Sequence, residues 1–355
     1  MLDDNGEHED TTRDHAERLT ISLLAPSSPE PRNTLSDKER SLRCMHVLYV
    51  LVLAMLCTYW GLYLYEQVNF IPDKPRPAIA ISYNESLAKE LVAYAAAVSC
   101  SNRSILESWT CHICQHGVAP IPPPPSLRDI LVMQDEVEIN QAMVGYDEAS
   151  KRIVVSFRGS VAAAQWIFDL DITPVHEYCN GCLVHQGFYL SWRDLHDEVM
   201  EKVQNLSATY QTYLVYVTGH SLGAAIAVHA GLALAKHGYT ITGYTFGQPR
   251  VGNEAFATYA NHLLPQWIRV VNYHDPVPQC PKLPFLYHHM STEIYYYEIP
   301  KPGASLGPYR MCDPGNGEDS KCQNADCGGF KLCLDGEFHV SYMNLPGLTN
   351  ETLIC

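Results

Sequence analysis

The chain has 355 residues and a formal net charge of -15, so it lacks the basic face that phosphate-backbone binding needs, which argues against a nucleic-acid partner. Hydrophobic residues make up 46% of it, too many for a chain that stays unfolded, and the length suits one large domain or two small ones. An acidic chain is weakly repelled by anionic lipid, so a lipid partner is expected to be neutral.

Residues 1–45 are polar, rich in Ser, Pro and charges of both signs, and read as a disordered cytosolic tail. Residues 46–65, HVLYVLVLAMLCTYWGLYLY, carry no Asp, Glu, Lys or Arg, and about 20 such residues suffice for a helix to cross a bilayer. Tyr59, Trp60, Tyr63 and Tyr65 crowd one end, as an interfacial aromatic belt does. Lys38, Arg40 and Arg43 lie just before the span. The expectation is therefore a signal anchor of type II topology, with the bulk of the chain lumenal or extracellular. Residues 66–77 form a Pro-rich linker, and residues 78–355 a single catalytic domain. The N-x-S/T sequons at Asn84, Asn102, Asn205 and Asn350 all follow the span, where glycosylation occurs. So do all of the 13 cysteines except Cys44 and Cys57, a density that suits an oxidising compartment.

In the globular part, SYNESLAKELVAYAAAVSC is expected to be helical, with Ser82 as its cap and Leu87, Leu91, Tyr94, Ala95 and Val98 on one face. KRIVVSF, TYLVYVTG, YTITGYTF and WIRVVNY read as strands. FYLSWRDLHDEVMEKVQNL reads as an amphipathic helix, and LGAAIAVHAGLALAKHG as a small-residue helix suited to lie close against a sheet. Buried strands alternating with helices indicate the α/β class, a central mostly parallel sheet flanked by helices. Residues 303–336 are rich in Gly, Asp and Cys and look like a disulfide-pinned insertion. Their Asp313, Asn316, Glu318 and Asp319 lack the spacing of a calcium loop, so a solvated polar loop is expected and no metal.

The chemistry concentrates in YLVYVTGHSLGAAIAVHAG. A strand, then Gly219-His220-Ser221-Leu222-Gly223, then a helix is the context of a nucleophile elbow. Serine on so sharp a turn stands clear of the sheet, flanking glycines remove side chains that would clash, and the helix N-terminus points N–H groups at a nascent oxyanion. Such a serine needs a base, and the base an orienting acid, in the chain order Ser, Asp, His. Asp275, just after a strand in WIRVVNYHDPVPQCP, is the expected acid, and His339 in GEFHVSYMNLP the expected base. His288 and His289 are read as packing or solvated residues. Ser160 in RIVVSFRGS is the expected second oxyanion donor beside the backbone N–H of Leu222. The apolar run after it, with Val161, Trp166, Ile167 and Phe168, reads as a lid.

FRGS, the Trp166 segment, CNGC followed by GFYLSW, GHSLGAA, FGQPRVGN, NYHDPVP and HVSY occur in the order found in class 3 lipases. Over residues 80–355 the chain resembles that family, the filamentous-fungal triacylglycerol lipases of the Rhizomucor and Thermomyces type. The resemblance implies an α/β-hydrolase fold and cofactor-free hydrolysis of acylglycerol esters through an acyl-enzyme. It places the triad on Ser221, Asp275 and His339 and the oxyanion donors on Ser160 and Leu222. It also implies disulfides Cys179–Cys182, Cys111–Cys114 and Cys100–Cys355. Cys312, Cys322, Cys327 and Cys333 then allow three pairings, with Cys280 odd. The anchor, the Cys-rich insertion and the acidic surface depart from the secreted relatives. Phospholipase A1, a soluble-ester esterase and a non-catalytic membrane-anchored binding protein are the competing readings.

Overall fold

The computed structural model describes residues 45–59, 81–135, 140–160, 173–281, 286–290, 292–299, 306–328, 333–348 and 350–355. The tail, the linker, the lid run at 161–168 and parts of the insertion lie outside these residues. The chain divides into two compact units, Met1–Gly61 and Leu62–Cys355. In the first, residues 45–59, which include 46–59 of the expected span, are helical with exposed side chains. At about 1.5 Å per residue they reach ~22 Å, short of the ~30 Å of a hydrocarbon core. No helix among the described residues is long and apolar enough to cross a membrane. Residues 60–65 lie outside them.

The second unit is built on an eight-stranded sheet of order β1-β2-β3-β6-β7-β8-β9-β10. Its strands are β1 (Arg128–Gln134), β2 (Gln141–Asp147), β3 (Arg152–Phe157), β6 (Leu214–His220), β7 (Ile241–Phe246), β8 (Trp267–Asn272), β9 (Glu293–Tyr296) and β10 (Tyr309–Met311). β4 (Pro174–His176) and β5 (Leu183–His185) pair apart from it. Strands β3, β6, β7, β8 and β9 run parallel, with antiparallel pairs at both edges. β3, β6, β7 and β8 correspond to the four strands expected from sequence. Their interiors are buried, as parallel strands covered on both faces must be.

Two apolar clusters cover the two faces. One contains helices α4 (Gln186–Thr209) and α5 (Leu222–Lys236) with α6 (Glu254–Leu263); the other contains α1 (Glu85–Ala97). The small helices α2 (Arg103–Glu107) and α3 (His112–His116) pack on the α1 side. Helix α5 is buried nearly all round because it is almost entirely Ala, Gly, Leu, Val and Ile, which lets its backbone lie close to the strands. Helix α1 corrects one expectation: its cap is Asn84, not Ser82. Asn84 Oδ1 accepts from the Leu87 N–H at 3.1 Å, the third residue of the first turn, which Ser82 is too far upstream to reach. Asn102 and Asn350 cap α2 and α8 (Glu351–Ile354) through Oδ1 in the same way. All four sequon asparagines are exposed, and Oδ1 capping leaves the Nδ2 of these three for a glycan.

Five disulfides pin this unit. Cys100–Cys355, Cys111–Cys114 and Cys179–Cys182 are bonded, and the insertion closes as Cys312–Cys322 and Cys327–Cys333. Cys280 takes part in none of the five; its buried thiol donates to the Pro276 carbonyl.

Candidate active site

The site gathers at the C-terminal ends of the parallel strands, where open α/β sheets assemble their binding crevices. Strand β6 ends at His220 and α5 begins at Leu222, so the whole reversal falls on Ser221. It adopts φ 58° and ψ -124°, a left-handed conformation that costs a residue with a Cβ about 1–2 kcal/mol. Its N–H donates to the Phe246 carbonyl at 3.0 Å, tying the turn to β7. The flanking residues must be glycine because the backbones touch: a Cβ on Gly219 would stand 2.4 Å from the Gly223 carbonyl oxygen, and one on Gly223 2.2 Å from that of Phe157. Leu222 opens the first turn of α5, where a helix's leading N–H groups point outward from its end; the third, that of Ala224, already donates to the Ser221 carbonyl at 3.0 Å.

His339 follows a short 3-10 turn at Gly336–Phe338, and Asp275 follows β8; the fold brings both to Ser221. His339 Nε2 lies 2.8 Å from Ser221 Oγ, and its Nδ1 lies 2.9 Å from Asp275 Oδ2. A carboxylate can only accept, so Nδ1 carries the proton and Nε2 is left to accept from the serine hydroxyl. All three side chains are buried, Ser221 and Asp275 at 0% exposure. Asp275 accepts two further bonds, from the Val277 N–H at 2.8 Å to Oδ1 and from the Tyr342 hydroxyl to Oδ2. Burial, followed by the adjacent Asp275 charge, raises the Tyr342 phenol well above its ordinary range and keeps it a donor. His220 packs beside His339, ring centroids 4.5 Å apart, and its Nε2–H donates to the His339 carbonyl at 2.7 Å. Burial, and then the neighbouring His339, push the His220 imidazole well below its usual pKa, so it stays a neutral prop.

Gly247 also shapes the site. It sits at φ +60°, and a Cβ there would meet Asp275 Oδ2 at 2.9 Å and His339 Nδ1 at 3.0 Å. Neither Gly247 nor Tyr342 is visible as a site residue in the sequence. The Gly-Gln-Pro run at Gly247–Pro249 signals only a turn, and Tyr342 stands three residues past His339 in HVSY.

Ser160 is half-buried, on the turn after β3. That turn lies against the elbow, since a Cβ on Gly159 would stand 2.8 Å from the His220 carbonyl oxygen. The buried Arg158 pins it, donating to Gln141 Oε1 at 3.3 Å while its N–H donates to the Gln141 carbonyl at 2.9 Å. Val161, Trp166, Ile167 and Phe168 lie outside the described residues. His289 is buried and donates through Nε2 to the Pro278 carbonyl at 2.6 Å, while His288 is half-buried; neither joins the Ser221 group. In the insertion the loop's side-chain oxygens are used internally: Asp313, Asn316 and Asp319 accept from the N–H groups of Gly315, Glu318 and Lys321. Glu318, expected to be solvated, is instead half-buried against the buried Arg250, because a guanidinium otherwise enclosed by the fold requires a carboxylate.

A buried, oriented Ser–His–Asp relay on a strand-to-helix turn is the arrangement that acyl transfer requires. Residues 154–285 match the family model Lipase (class 3). The chain is 34% identical over 203 residues to secreted mono- and diacylglycerol lipase 1 of Fusarium solani, covering 57% of this chain and 59% of the relative. It is 37% identical over 210 residues to a lipase of Rhizomucor miehei, covering 58% and 55%. The chain thus spans somewhat under two thirds of the length of the curated relatives it matches. Among solved structures, a triacylglycerol lipase with a serine-protease triad superposes with TM-score 0.65 at 29% identity, covering 76% of this chain and 98% of that one. A mono- and diacylglycerol lipase from Aspergillus oryzae superposes with TM-score 0.62 at 25% identity, covering 76% and 98%. The fold is that of the α/β-hydrolase lipases.

Proposed function

We propose that this chain is a class 3 lipase, a serine ester hydrolase that releases fatty acid from acylglycerols. The observation that carries the reading is the continuous hydrogen-bond relay from Ser221 Oγ through His339 to Asp275 on a strained elbow. In the mechanism, His339 Nε2 takes the hydroxyl proton as Ser221 Oγ bonds to the ester carbonyl carbon. The oxyanion is held by the Leu222 N–H and by Ser160. The tetrahedral species collapses as His339 returns the proton to the departing alcohol, and water then repeats the sequence on the acyl-enzyme to release the fatty acid. Asp275 keeps Nδ1 protonated and stabilises the imidazolium, and Tyr342 and Val277 hold Asp275 in place. No cofactor enters these steps. The apolar lid run after Ser160 and the similarity to mono-, di- and triacylglycerol lipases support a neutral acylglycerol as substrate.

The same reading gives the chain a type II signal anchor over residues 46–65, with the catalytic domain outside or in the lumen. It rests on the charge-free span, the basic residues before it, five disulfides and four exposed sequons.

The test is hydrolysis of emulsified triacylglycerol and diacylglycerol, phospholipid vesicles and a soluble short-chain ester, with Ser221→Ala as control. Preference for emulsified neutral lipid, lost in the control, is expected. Activity confined to phospholipid or to the soluble ester would replace the lipase reading with a phospholipase or an esterase. Activity on none, without fluorophosphonate labelling of Ser221, would leave a binding protein.

A further inference from the structure

The cysteine-rich insertion does not stand apart from the site. The turn that carries Asp275 is strained: Tyr273 adopts φ 39°, in the left-handed region. Such a turn persists only where its surroundings hold it. On one side it is held by Asn272, whose Nδ2 donates to the carbonyls of Phe338 at 3.0 Å and Ser341 at 2.7 Å and so ties the turn to the His339 segment. On the other side the contact comes from the insertion. Gln323 opens helix α7 (Gln323–Cys327) and is 1% exposed. Its Nε2 donates to the Asp275 carbonyl at 2.7 Å and to the Tyr273 carbonyl at 3.2 Å. Two carbonyl oxygens require the amino end of the amide, which fixes its orientation. The Oε1 end accepts from Gln279 Nε2 at 2.9 Å.

Gln323 is itself anchored on three sides. Its N–H donates to Glu293 Oε1 at 3.0 Å on β9. The preceding Cys322 is bonded to Cys312, whose N–H donates to the Glu293 carbonyl at 2.9 Å. Upstream in the insertion, Glu318 accepts two bonds at 2.8 Å from the buried Arg250 guanidinium. A side chain so fixed can hold what it touches, because its own position is overdetermined.

We infer that Gln323 is a positioning residue for Asp275: the insertion carries it to the back of the acid turn, where its amide satisfies two buried carbonyls and holds the Asp275 carboxylate at His339. This rests on the ester-hydrolase reading above. Without the amide, the two carbonyls are left unpaired in the interior, the turn shifts to recover partners, and the carboxylate moves with it.

The test uses the full-length chain and its Gln323→Met variant, which keeps the length and removes both donors. Measured are the rate of fluorophosphonate labelling of Ser221, kcat and KM on a soluble short-chain nitrophenyl ester, and the pH profile of kcat/KM. The expected result is a roughly tenfold lower kcat with KM within about twofold, and a parallel fall in labelling rate. The acid limb of kcat/KM should be displaced as well, because the carboxylate that faces the imidazole has moved. A lower melting temperature with kcat per labelled site and the acid limb unchanged would overturn the inference, since that is what a merely structural residue does. If Gln323→Met does not melt cooperatively, Gln279→Met decides, because it removes the bond to Gln323 Oε1, with a 3.2 Å bond to Asn324 Oδ1, and leaves both Gln323 donors in place. A fall of about threefold in kcat with the same displacement of the acid limb is expected there, and unchanged kinetics would overturn the inference. An unlabelled, inactive wild-type chain would overturn the hydrolase reading and this inference with it; an active wild type with unaffected variants overturns this inference alone.

Discussion

Gly247→Ala is a one-carbon change that should disable the site without touching any reacting atom. The added Cβ would lie 2.9 Å from Asp275 Oδ2 and 3.0 Å from His339 Nδ1 and Cε1. Ordinary contacts at a Cβ begin near 3.4 Å, so these atoms must retreat by roughly half an ångström, and they are the two ends of the 2.9 Å bond that orients the imidazole. The backbone cannot yield instead: Gly247 sits at φ +60°, where a Cβ adds about 1–2 kcal/mol of strain. Its N–H is also fixed to the Val270 carbonyl at 3.2 Å. A misplacement of that size is expected to lower kcat about 30–100-fold, or ~2–3 kcal/mol in the barrier, with KM nearly unchanged. The melting temperature should fall by roughly 2–8 °C from the backbone strain. The assay is steady-state hydrolysis of a soluble short-chain ester, normalised to the fraction of Ser221 titrated by fluorophosphonate, beside a thermal melt. A variant that melts lower but retains kcat within twofold would refute the reasoning, because it would show that the carboxylate and imidazole can give way without losing alignment.

Tyr342→Phe removes the hydroxyl that donates to Asp275 while leaving the ring packed against Phe246 and His220, so a loss of about 1.5–3 kcal/mol in urea unfolding is expected; less than ~0.5 kcal/mol would mean the carboxylate finds another donor. The second concerns His229 on α5, which is fully buried, holds Tyr178 Oη at 2.7 Å from Nδ1, and is pushed down by burial to about 3. A depressed folded pKa means that the unfolded chain binds the proton first. The contribution of neutral His229 is therefore fully present above about 6.5 and is lost as pH falls from there toward about 3. His229→Phe should flatten the decline in unfolding free energy between pH 6.5 and 4, and an unchanged slope would exclude His229 as its source.

The sequence determined the parts of this protein that obey local rules. The elbow was legible because steric exclusion at Gly219 acts against Gly223, four residues on, and the order of Ser221, Asp275 and His339 follows from the topology such an elbow imposes. Strands β3, β6, β7 and β8 and helix α5 announced themselves because burial on all sides demands nearly unbroken apolar runs, and helix α4 because its apolar residues recur at helical spacing on one face. Strands β1 and β2 did not, since RDILVMQ and QAMVGYD mix polar and apolar residues without a clean period. β9 and β10, four and three residues long, are strands only through their neighbours. The cap of α1 was misplaced by two residues because Ser82 and Asn84 are equally good caps, and only the backbone path into the helix chooses between them. Tertiary structure alone decided the pairing of Cys312 with Cys322 and Cys327 with Cys333. It alone placed Gly247 behind the carboxylate, Tyr342 on Asp275 across 67 residues, and Gln323 on the Asp275 carbonyl across 48. Such contacts depend on where separate strands and loops end in space, and no spacing along the chain encodes that directly.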